Sequence, residues 1–329
     1  MNQQTAIGLD IGTSRLVTAY GTNTAPVFET QLNAFLALPY TRLTEMALRR
    51  ERVAHEVRDG HLIVLGNDSE RLANLFHLET RRPMTRGLLN PDEAGGPAIM
   101  RQLLSTLLGP DGAGRRVCFS VPGAPANAPH ELTYHESTLR GILTDMGYHA
   151  DTINEGLAVV LAELEDTNFT GLGVTFGGGM CNVCLAYLSM PVFSFSVSKA
   201  GDFIDESAAG TSGEGPTRVR AIKEHSFYFN GFYVDQVKQA LTIYYDDVIS
   251  SLIRALAEYL SKPRNVPRLD RAVPVVISGG TSMPRGFKDR FEALLKTAEL
   301  PLAISEIRTS ADPLNSTAKG ALVAALAEI

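Results

Sequence analysis

The stretch GVTFGGGMCN, residues 173–182, places three consecutive glycines between two apolar runs. A turn without side chains lets the backbone approach a ligand closely, and its amide groups can hold phosphate oxygens. A bulged hairpin that binds nothing is the alternative interpretation of the three glycines. A phosphate turn of this kind usually has an acidic residue just ahead of it, but Thr175 stands there. The stretch predicts a strand–turn–strand unit and a phosphate site that lacks one carboxylate.

Two further glycine turns follow predicted buried strands. In GLDIGTS, residues 8–14, Asp10 ends a strand and residues 12–14 form the turn. A carboxylate repels phosphate unless a cation lies between them, and Mg²⁺ accepts one or two carboxylates together with phosphate oxygens. An Asx-type turn without a ligand explains the same residues. In ISGGTSMPRGF, residues 277–287, the glycine pair 279–280 would let a flat base lie against the backbone.

Strand and helix patterns alternate along most of the chain, which predicts the α/β class with sheets covered on their faces. The longest periodic segment, 233–260, has one apolar stripe and would span about 40 Å as a helix. Another helix is predicted near 42–55. The strand–glycine turn–strand unit occurs twice, which indicates an internal duplication. Residues 208–217 are rich in Gly, Ser and Thr and are expected to be the most flexible stretch.

Composition limits the classes of function. Of 329 residues, 44% are hydrophobic and 20% are charged, as in a soluble protein of about two domains. The formal charge of −6 argues against nucleic acid or an anionic membrane as the main partner, and arginine clusters at 49–52 and 81–86 are interpreted as solvated faces. No apolar run reaches the ~18–20 residues of a membrane span, and no leader is recognised, so we expect a cytoplasmic protein. MNQQTAI, residues 1–7, is too short for an amphipathic anchor, so membrane contact is not supported.

The three cysteines are too few for a disulfide framework. Cys181 and Cys184 lie in an alternating pattern typical of a strand, and their odd separation places the side chains on opposite faces. Because no second Cys/His pair is present to complete four ligands, buried structural thiols are favoured over a metal site.

Taken in order along the chain, the glycine turns resemble the motifs of the actin superfamily, which includes DnaK-type chaperones and sugar kinases. GLDIGTS is similar to the first phosphate motif of that superfamily, and VTFGGGMCN is similar to the second. VISGGTSMPRGFKDRF resembles the adenosine motif, and VRAIKE, residues 219–224, resembles a nucleotide-contacting segment of actin. Five further segments resemble bacterial actins of the MreB and MamK type: PMTRGLL (83–89), SVPGAP (120–125), INEGLAVV (153–160), GDFIDE (201–206) and DPLNSTAKGA (312–321). The ordered matches cover nearly the whole chain.

The resemblance implies a two-lobed actin-like ATPase fold, in which each lobe has an α/β core and a small outer subdomain. Lobe I would comprise residues 1–153 and 312–329, with its outer subdomain at about 26–80, and lobe II would comprise 154–311. ATP or ADP with Mg²⁺ would bind in the cleft, and Asp10 would be the metal-associated carboxylate. The residues implied to contact nucleotide are Gly12, Thr13, Ser14, Gly177, Gly178 and Gly179 at the phosphates, Arg220, Lys223 and Glu224 at base and ribose, and Gly279, Gly280, Thr281 and Met283 at the adenosine. For the charged trio 220–224, an ordinary exposed helix face is the alternative.

Hydrolysis is the property that the resemblance puts in question. Glu155 matches a glutamate that helps to position the attacking water in bacterial actins, although an acid at the start of a helix is also favourable for the helix dipole alone. Thr175 replaces the usual aspartate, Met180 replaces a small or hydroxyl residue, and Asn182 stands where a polar contact is common. We therefore expect nucleotide binding with slow or absent hydrolysis, a weak ATPase at most.

The outer subdomain of lobe II is predicted to be shortened, because only HSFYFNGF separates VRAIKE from the long helix. The aromatic residues at 227–233 could form a subunit contact or the core of a short hairpin. Three functions remain open: a filament-forming actin-like protein, a nucleotide-binding scaffold or regulator that does not polymerise, and a chaperone-like or kinase enzyme. The filament is favoured. Its partner would be the protein itself, with a protein adaptor as a further partner.

Overall fold

The computed structural model describes residues 6–109, 111–125, 129–261, 269 and 271–327. The argument on membrane attachment at 1–7 falls mostly outside the described residues, as does the end of lobe I at 328–329. Fifteen strands are present in the described part: β1 Ala6–Ile11, β2 Arg15–Gly21, β3 Pro26–Leu32, β4 Phe35–Pro39, β5 His55–Arg58, β6 His61–Leu65, β7 Met84–Thr85, β8 Leu88–Leu89, β9 Arg116–Val121, β10 His149–Asn154, β11 Gly171–Phe176, β12 Cys181–Tyr187, β13 Met190–Val197, β14 Val273–Ser278 and β15 Ile304–Thr309. Ten α-helices accompany them in the same residues: α1 Arg42–Arg50, α2 Asn67–Phe76, α3 Gly96–Leu108, α4 Pro129–Asp145, α5 Glu155–Glu163, α6 Gly201–Ser212, α7 Pro216–His225, α8 Gln236–Leu260, α9 Phe287–Leu295 and α10 Ser316–Ala327.

Two five-stranded sheets repeat one connectivity. In the first sheet the strand order is β10-β9-β1-β2-β3, and in the second it is β15-β14-β11-β12-β13. In each, an antiparallel meander of three strands continues through two parallel strands. The repeat agrees with the duplication predicted from the two glycine turns. Those turns, at 12–14 and 177–180, connect the first two strands of each meander.

Two helices cross between the sheets. Helix α5 follows β10 of the first sheet but packs on β11 and β12 of the second, and α10 follows β15 of the second sheet but packs on β1 and β9 of the first. The approach is close, since a methyl group at Gly8 would lie 2.1 Å from the carbonyl oxygen of Ala318, and one at Gly173 would lie 2.1 Å from that of Gly156. The crossing brings the ends of β1 and β11 to one cleft.

The second sheet is covered by α8, whose apolar stripe forms the largest core cluster together with α6, α9 and the strands. Asp235 caps α8 by accepting a hydrogen bond from the Lys238 amide, so this helix begins three residues later than the periodicity predicted. The expected flexibility of 208–217 is wrong. Helix α6 continues to Ser212 with Ala208 and Ala209 buried against the core, and only residues 213–215 connect it to α7.

A separate three-stranded sheet, β4-β6-β5, forms the small outer part of the first half together with α1 and α2. Strand β3, which lies inside the predicted outer subdomain 26–80, instead pairs with β2 along its whole length. The outer part therefore begins at β4. The helix predicted at 42–55 ends at Arg50, because the chain turns there into β5. The division of the chain into lobes at 153/154 stays a prediction.

Between β13 and α8 the chain forms only α6, α7 and the loop 226–235, with no strand between residues 198 and 261. Phe227 and Phe229 of this loop are buried and pack on the Tyr245 ring at centroid distances of 5.2 Å, so they belong to the core without forming a hairpin. Phe232 is fully exposed. The hairpin interpretation of the aromatic stretch is therefore wrong, and the subunit contact stays a prediction.

All three cysteines are buried, as expected of structural thiols. Burial raises the pKa of the Cys184 thiol to about 12. No helix in the described residues is both long and apolar enough to cross a membrane.

Candidate functional site

A cavity of about 510 Å³ lies where the two sheets meet, and every residue proposed from the sequence lines it. The fifteen are Asp10, Gly12, Thr13, Ser14, Glu155, Gly177, Gly178, Gly179, Arg220, Lys223, Glu224, Gly279, Gly280, Thr281 and Met283. The fold therefore brings residues that are up to 273 positions apart in sequence to the wall of a single cavity. Their roles toward a nucleotide stay predictions.

The two glycine turns face each other across this cavity. A methyl group at Gly178 would lie 2.5 Å from the Ser14 hydroxyl oxygen, and one at Gly179 would lie 2.3 Å from the Thr13 hydroxyl oxygen. The turn of the second sheet is held in place by the Thr281 hydroxyl and the Gly201 amide, both of which donate to the Gly177 carbonyl. Unsubstituted main chain at residues 178 and 179 therefore faces the hydroxyl groups of Thr13 and Ser14 across a narrow gap. Backbone amides and hydroxyl groups can both donate hydrogen bonds to an anion that approaches closely.

Asp10 and Glu155 place two carboxylates on the cavity wall. Asp10 is the penultimate residue of β1 and accepts a hydrogen bond of 2.7 Å from the Ser120 hydroxyl on β9. Burial raises its pKa to about 6. Glu155 opens α5 because the Asn154 side chain caps the helix by accepting from the amides of residues 156 and 157. Burial, and after it the charge of Asp10, raises the pKa of Glu155 to about 8. The two carboxylates repel each other, so a cation between them would stabilise both.

Thr175 and Asn182 hold the Glu155 carboxylate from the second sheet. The Thr175 hydroxyl donates to Glu155 Oε2 at 3.2 Å, and Asn182 Nδ2 donates to the same oxygen at 2.8 Å. Asn182 also accepts a hydrogen bond of 2.8 Å from the Gly123 amide, on the segment that follows β9. The polar contact expected at Asn182 therefore exists. It connects Glu155 to both sheets.

Two cationic residues of α7, Arg220 and Lys223, are paired with carboxylates of α6. Lys223 Nζ lies 2.8 Å from Asp205 Oδ2, and Arg220 lies 3.2 Å from the same oxygen and 3.3 Å from Asp202. Lys223 is buried together with its partner Asp205, which rules out an ordinary exposed face for this one position of the trio. Glu224 remains exposed at the cavity rim.

Among the described residues, an ion pair joins the segment after α2 to the start of α6. Arg82 Nη1, from the segment after α2, lies 3.1 Å from Asp202 Oδ1 at the start of α6. Arg81 pairs with Glu93. The interpretation of the 81–86 cluster as solvated is therefore wrong for Arg82, whose side chain is only 20% exposed.

A profile of the volactin family matches residues 5–325. The chain belongs to the volactin family. No curated protein matches the sequence significantly.

Solved structures that resemble this volactin-family chain have the two-lobed actin-like fold, so the predicted fold class is confirmed. A MamK double helical filament is 18% identical over 98% of each chain, with a TM-score of 0.69. MreB5 of Spiroplasma citri bound to AMPPNP is 14% identical, with 97% of this chain and 95% of that chain covered and a TM-score of 0.67. EutJ, an ethanolamine utilization protein from Carboxydothermus hydrogenoformans, is 16% identical, with 96% and 89% covered and a TM-score of 0.58.

Sequence reasoning missed several residues of this volactin-family site. Arg15, Gly87, Asp202, Asp205 and Tyr245 line the cavity, and Ser120 anchors Asp10. Ser120 could have been noticed as the one hydroxyl in the buried strand RVCFSV. Tyr245 lies among the apolar residues of α8, and nothing in its local sequence distinguishes it from them.

Proposed function

We propose that the chain binds ATP in the inter-sheet cavity and assembles into actin-like filaments, with slow or impaired hydrolysis. The observation that carries the proposal is the convergence of three glycine turns, from β1, β11 and β14, on one cavity. Relatives by fold support it, since MamK is described as a double helical filament and MreB5 as bound to AMPPNP or ADP. The proposed location is the cytoplasm, with the protein itself as the main partner and a protein adaptor as a further one. No nucleic acid is proposed as a partner.

The donor set of the site fits Mg²⁺. Asp10 and Glu155 each supply a carboxylate in the cavity. They are close enough that the charge of Asp10 contributes to the raised pKa of Glu155. Each has one oxygen engaged by a neighbouring side chain, Ser120 for Asp10 and the Thr175–Asn182 pair for Glu155. When bound, the metal would neutralise phosphate charge in the cavity. Ser120, Thr175 and Asn182 orient the two carboxylates that would bind the metal.

Slow hydrolysis follows from the side chain at 175. Thr175 offers a hydroxyl where a carboxylate would add negative charge to the metal environment, and that hydroxyl already donates to Glu155. Glu155, the proposed water-positioning residue, is held by neutral donors alone among the described side chains. Loss of one such electrostatic contact commonly costs ~3 kcal/mol of barrier, or about a hundredfold in rate.

Nucleotide binding is tested by calorimetry with Mg-ATP. Gly178→Ala would place a methyl group 2.5 Å from the Ser14 oxygen, between the two turns, and is expected to weaken binding about tenfold or more. Gly210→Ala is the matched control, because this glycine lies in α6 with no atom within 4 Å of the added methyl. Absence of binding by the wild type, or equal binding by both variants, would contradict the assignment of the cavity.

Assembly is tested by sedimentation and electron microscopy with ATP, with ADP and without nucleotide. Filaments that require nucleotide are expected. A persistent monomer that binds ATP tightly would instead support the second candidate, a non-polymerising scaffold or regulator. Two observations favour that candidate: the neutral residue at 175 and the small outer part of the second half, which has no strand between residues 198 and 261.

A further inference from the structure

The charges on the cavity wall are balanced at α7 but not at the glycine turns. On α7, Arg220 and Lys223 are paired with carboxylates of α6. At the other end, Asp10 stands two residues before the first glycine turn. Glu155 accepts a hydrogen bond from Thr175, which stands two residues before the second. Two carboxylates repel phosphate, so an anion bound between the turns needs a cation near it.

Arg15 is the cationic side chain that the chain supplies at this end of the cavity. It directly follows the turn 12–14 as the first residue of β2, and it lines the cavity. Its side chain is exposed, and within the described residues no carboxylate lies at ion-pair distance from it. The other arginines of the wall are engaged, since Arg220 is paired with α6 and Arg285 lies over the Tyr228 ring at 4.8 Å.

The pairing of β1 with β2 places the Arg15 side chain on the cavity face of the first sheet. Asp10 lies directly opposite Val17 in this antiparallel pair, and both residues line the cavity. Side chains that lie opposite each other share a face, and successive side chains of a strand alternate between faces. Leu16 is buried in the core cluster on the other face, together with its partner Ile11. Arg15, two positions before Val17, is therefore on the face of Asp10.

The backbone that carries Arg15 is held firmly. The Gly12 amide donates a hydrogen bond of 3.0 Å to the Arg15 carbonyl and closes the turn. Asn33, which is fully buried, donates from its side chain to the Gly12 carbonyl at 2.9 Å and from its backbone amide to the Ser14 carbonyl at 3.0 Å. A fixed backbone limits the freedom that the side chain loses when it binds an anion.

We propose that Arg15 recognises the phosphate chain of the bound nucleotide. The proposal rests on the proposed function, and it adds a side-chain cation to the amides and hydroxyl groups of the two turns. A guanidinium binds phosphate oxygens through two parallel hydrogen bonds. Its charge would also offset the repulsion of the phosphate by Asp10 and Glu155. Arg15 would thus make the site prefer phosphorylated ligands to a nucleoside.

The test uses Arg15→Gln, which removes the charge and keeps a long polar side chain. The variant is expected to melt at the wild-type temperature, because Arg15 is exposed and the turn is held by backbone atoms. Its affinity for Mg-ATP is expected to fall about tenfold or more, while its affinity for adenosine changes less than about twofold. The difference in Mg-ATP affinity should shrink in ~1 M salt, which screens charges beyond ~3 Å. Arg15→Lys, which keeps the charge without the fork, should lie between wild type and Arg15→Gln.

Arg254→Gln is the matched control. Arg254 is also an exposed arginine, but it lies on α8 and does not line the cavity. Its substitution changes the net charge equally and should leave the affinities for Mg-ATP and adenosine unchanged. Equal loss of Mg-ATP and adenosine affinity in Arg15→Gln, or loss of neither, would overturn the proposal.

A second measurement separates this proposal from the assignment of nucleotide. Inorganic tripolyphosphate is titrated into the wild type and Arg15→Gln by calorimetry. Binding by the wild type that weakens about tenfold or more in the variant supports the role of Arg15, even if ATP itself does not bind or adenosine binds too weakly to measure. If Arg15→Gln binds Mg-ATP as tightly as the wild type does, only this proposal fails. If the wild type binds neither ATP nor tripolyphosphate, both proposals fail.

Discussion

Gly320 of α10 lies directly against the carbonyl group of Ala158 in α5, so closely that a methyl group at 320 would come within 1.8 Å of that oxygen. The two backbones can approach this closely because residue 320 has no side chain. It joins the two helices that cross between the sheets. The relative position of the two sheets, and hence the width of the cavity, depends on this contact.

Gly320→Ala is expected to lower the free energy of unfolding by about 3 kcal/mol, because the backbones of α5 and α10 must separate. Gly141→Ala is the control, since Gly141 lies in α4 and nothing is within 4 Å of its added methyl. In an open helix the same change should stabilise the fold by ~0.5–1 kcal/mol. Urea denaturation of both variants checks the prediction. Equal stability of the two would show that the crossing tolerates a wider spacing.

His135 is expected to make the fold sensitive to mild acid. It is fully buried, its Nδ1 accepts from the Leu89 amide, and burial lowers its pKa to about 4. In the unfolded chain the pKa is ~6.5, so below that pH the unfolded state takes up a proton that the folded state refuses. Above pH ~6.5 the neutral His135 does not reduce the free energy of unfolding. As the pH falls from ~6.5 toward 4, the free energy of unfolding decreases by about 3 kcal/mol in all.

The measurement for His135 is urea denaturation between pH 7 and pH 4. His135→Asn keeps an acceptor near the Leu89 amide but cannot take up a proton in this range. The difference in stability between wild type and variant should therefore shrink as the pH falls. Parallel curves for the two proteins would mean that other groups cause the acid sensitivity.

Thr175→Asp is expected to raise the rate of phosphate release about a hundredfold, because it adds a carboxylate to the proposed metal site. It also places a third carboxylate beside Asp10 and Glu155, so activity should depend more steeply on Mg²⁺ than in the wild type. Thr175→Ser keeps the hydroxyl that donates to Glu155 and should hydrolyse at the wild-type rate. Rapid wild-type turnover that the aspartate does not improve would rule out impaired hydrolysis.

Phe232 is the residue of the 226–235 loop best placed for a contact between subunits, since it is fully exposed and Val234 beside it is 96% exposed. Burying one phenylalanine contributes ~1.5–3 kcal/mol, so Phe232→Ser should raise the concentration needed for assembly about tenfold or more. Tyr134→Ser removes another exposed aromatic residue, on α4, and should have no effect. Sedimentation at several protein concentrations gives the concentration needed for assembly of each variant. An unchanged threshold in Phe232→Ser would exclude this loop from the contact.

Local patterns predicted much of the fold. The glycine turns, the strands on either side of them and the long helix α8 were all expected, because turn residues and helical periodicity act over a few residues. Strand β15, ISEIRT, was missed because it is a half-exposed strand without a long apolar run. Helix α6 was partly mistaken for a flexible stretch because its second half, SAAGTS, has weak helix propensity. It is helical because Ala208 and Ala209 are buried against the core.

The sequence by itself determined which residues were candidates for a site, because a glycine turn can be recognised from a few consecutive residues. It also determined the class of fold, through the alternation of strands and helices. Only the tertiary structure decided that Ser120 holds Asp10, that Asn182 joins Glu155 to the segment after β9, and that Gly87 contacts both glycine turns. These contacts join residues far apart in the chain, up to 110 positions in the case of Ser120 and Asp10. They depend on how α5 and α10 cross, which the spacing of residues within one element does not encode.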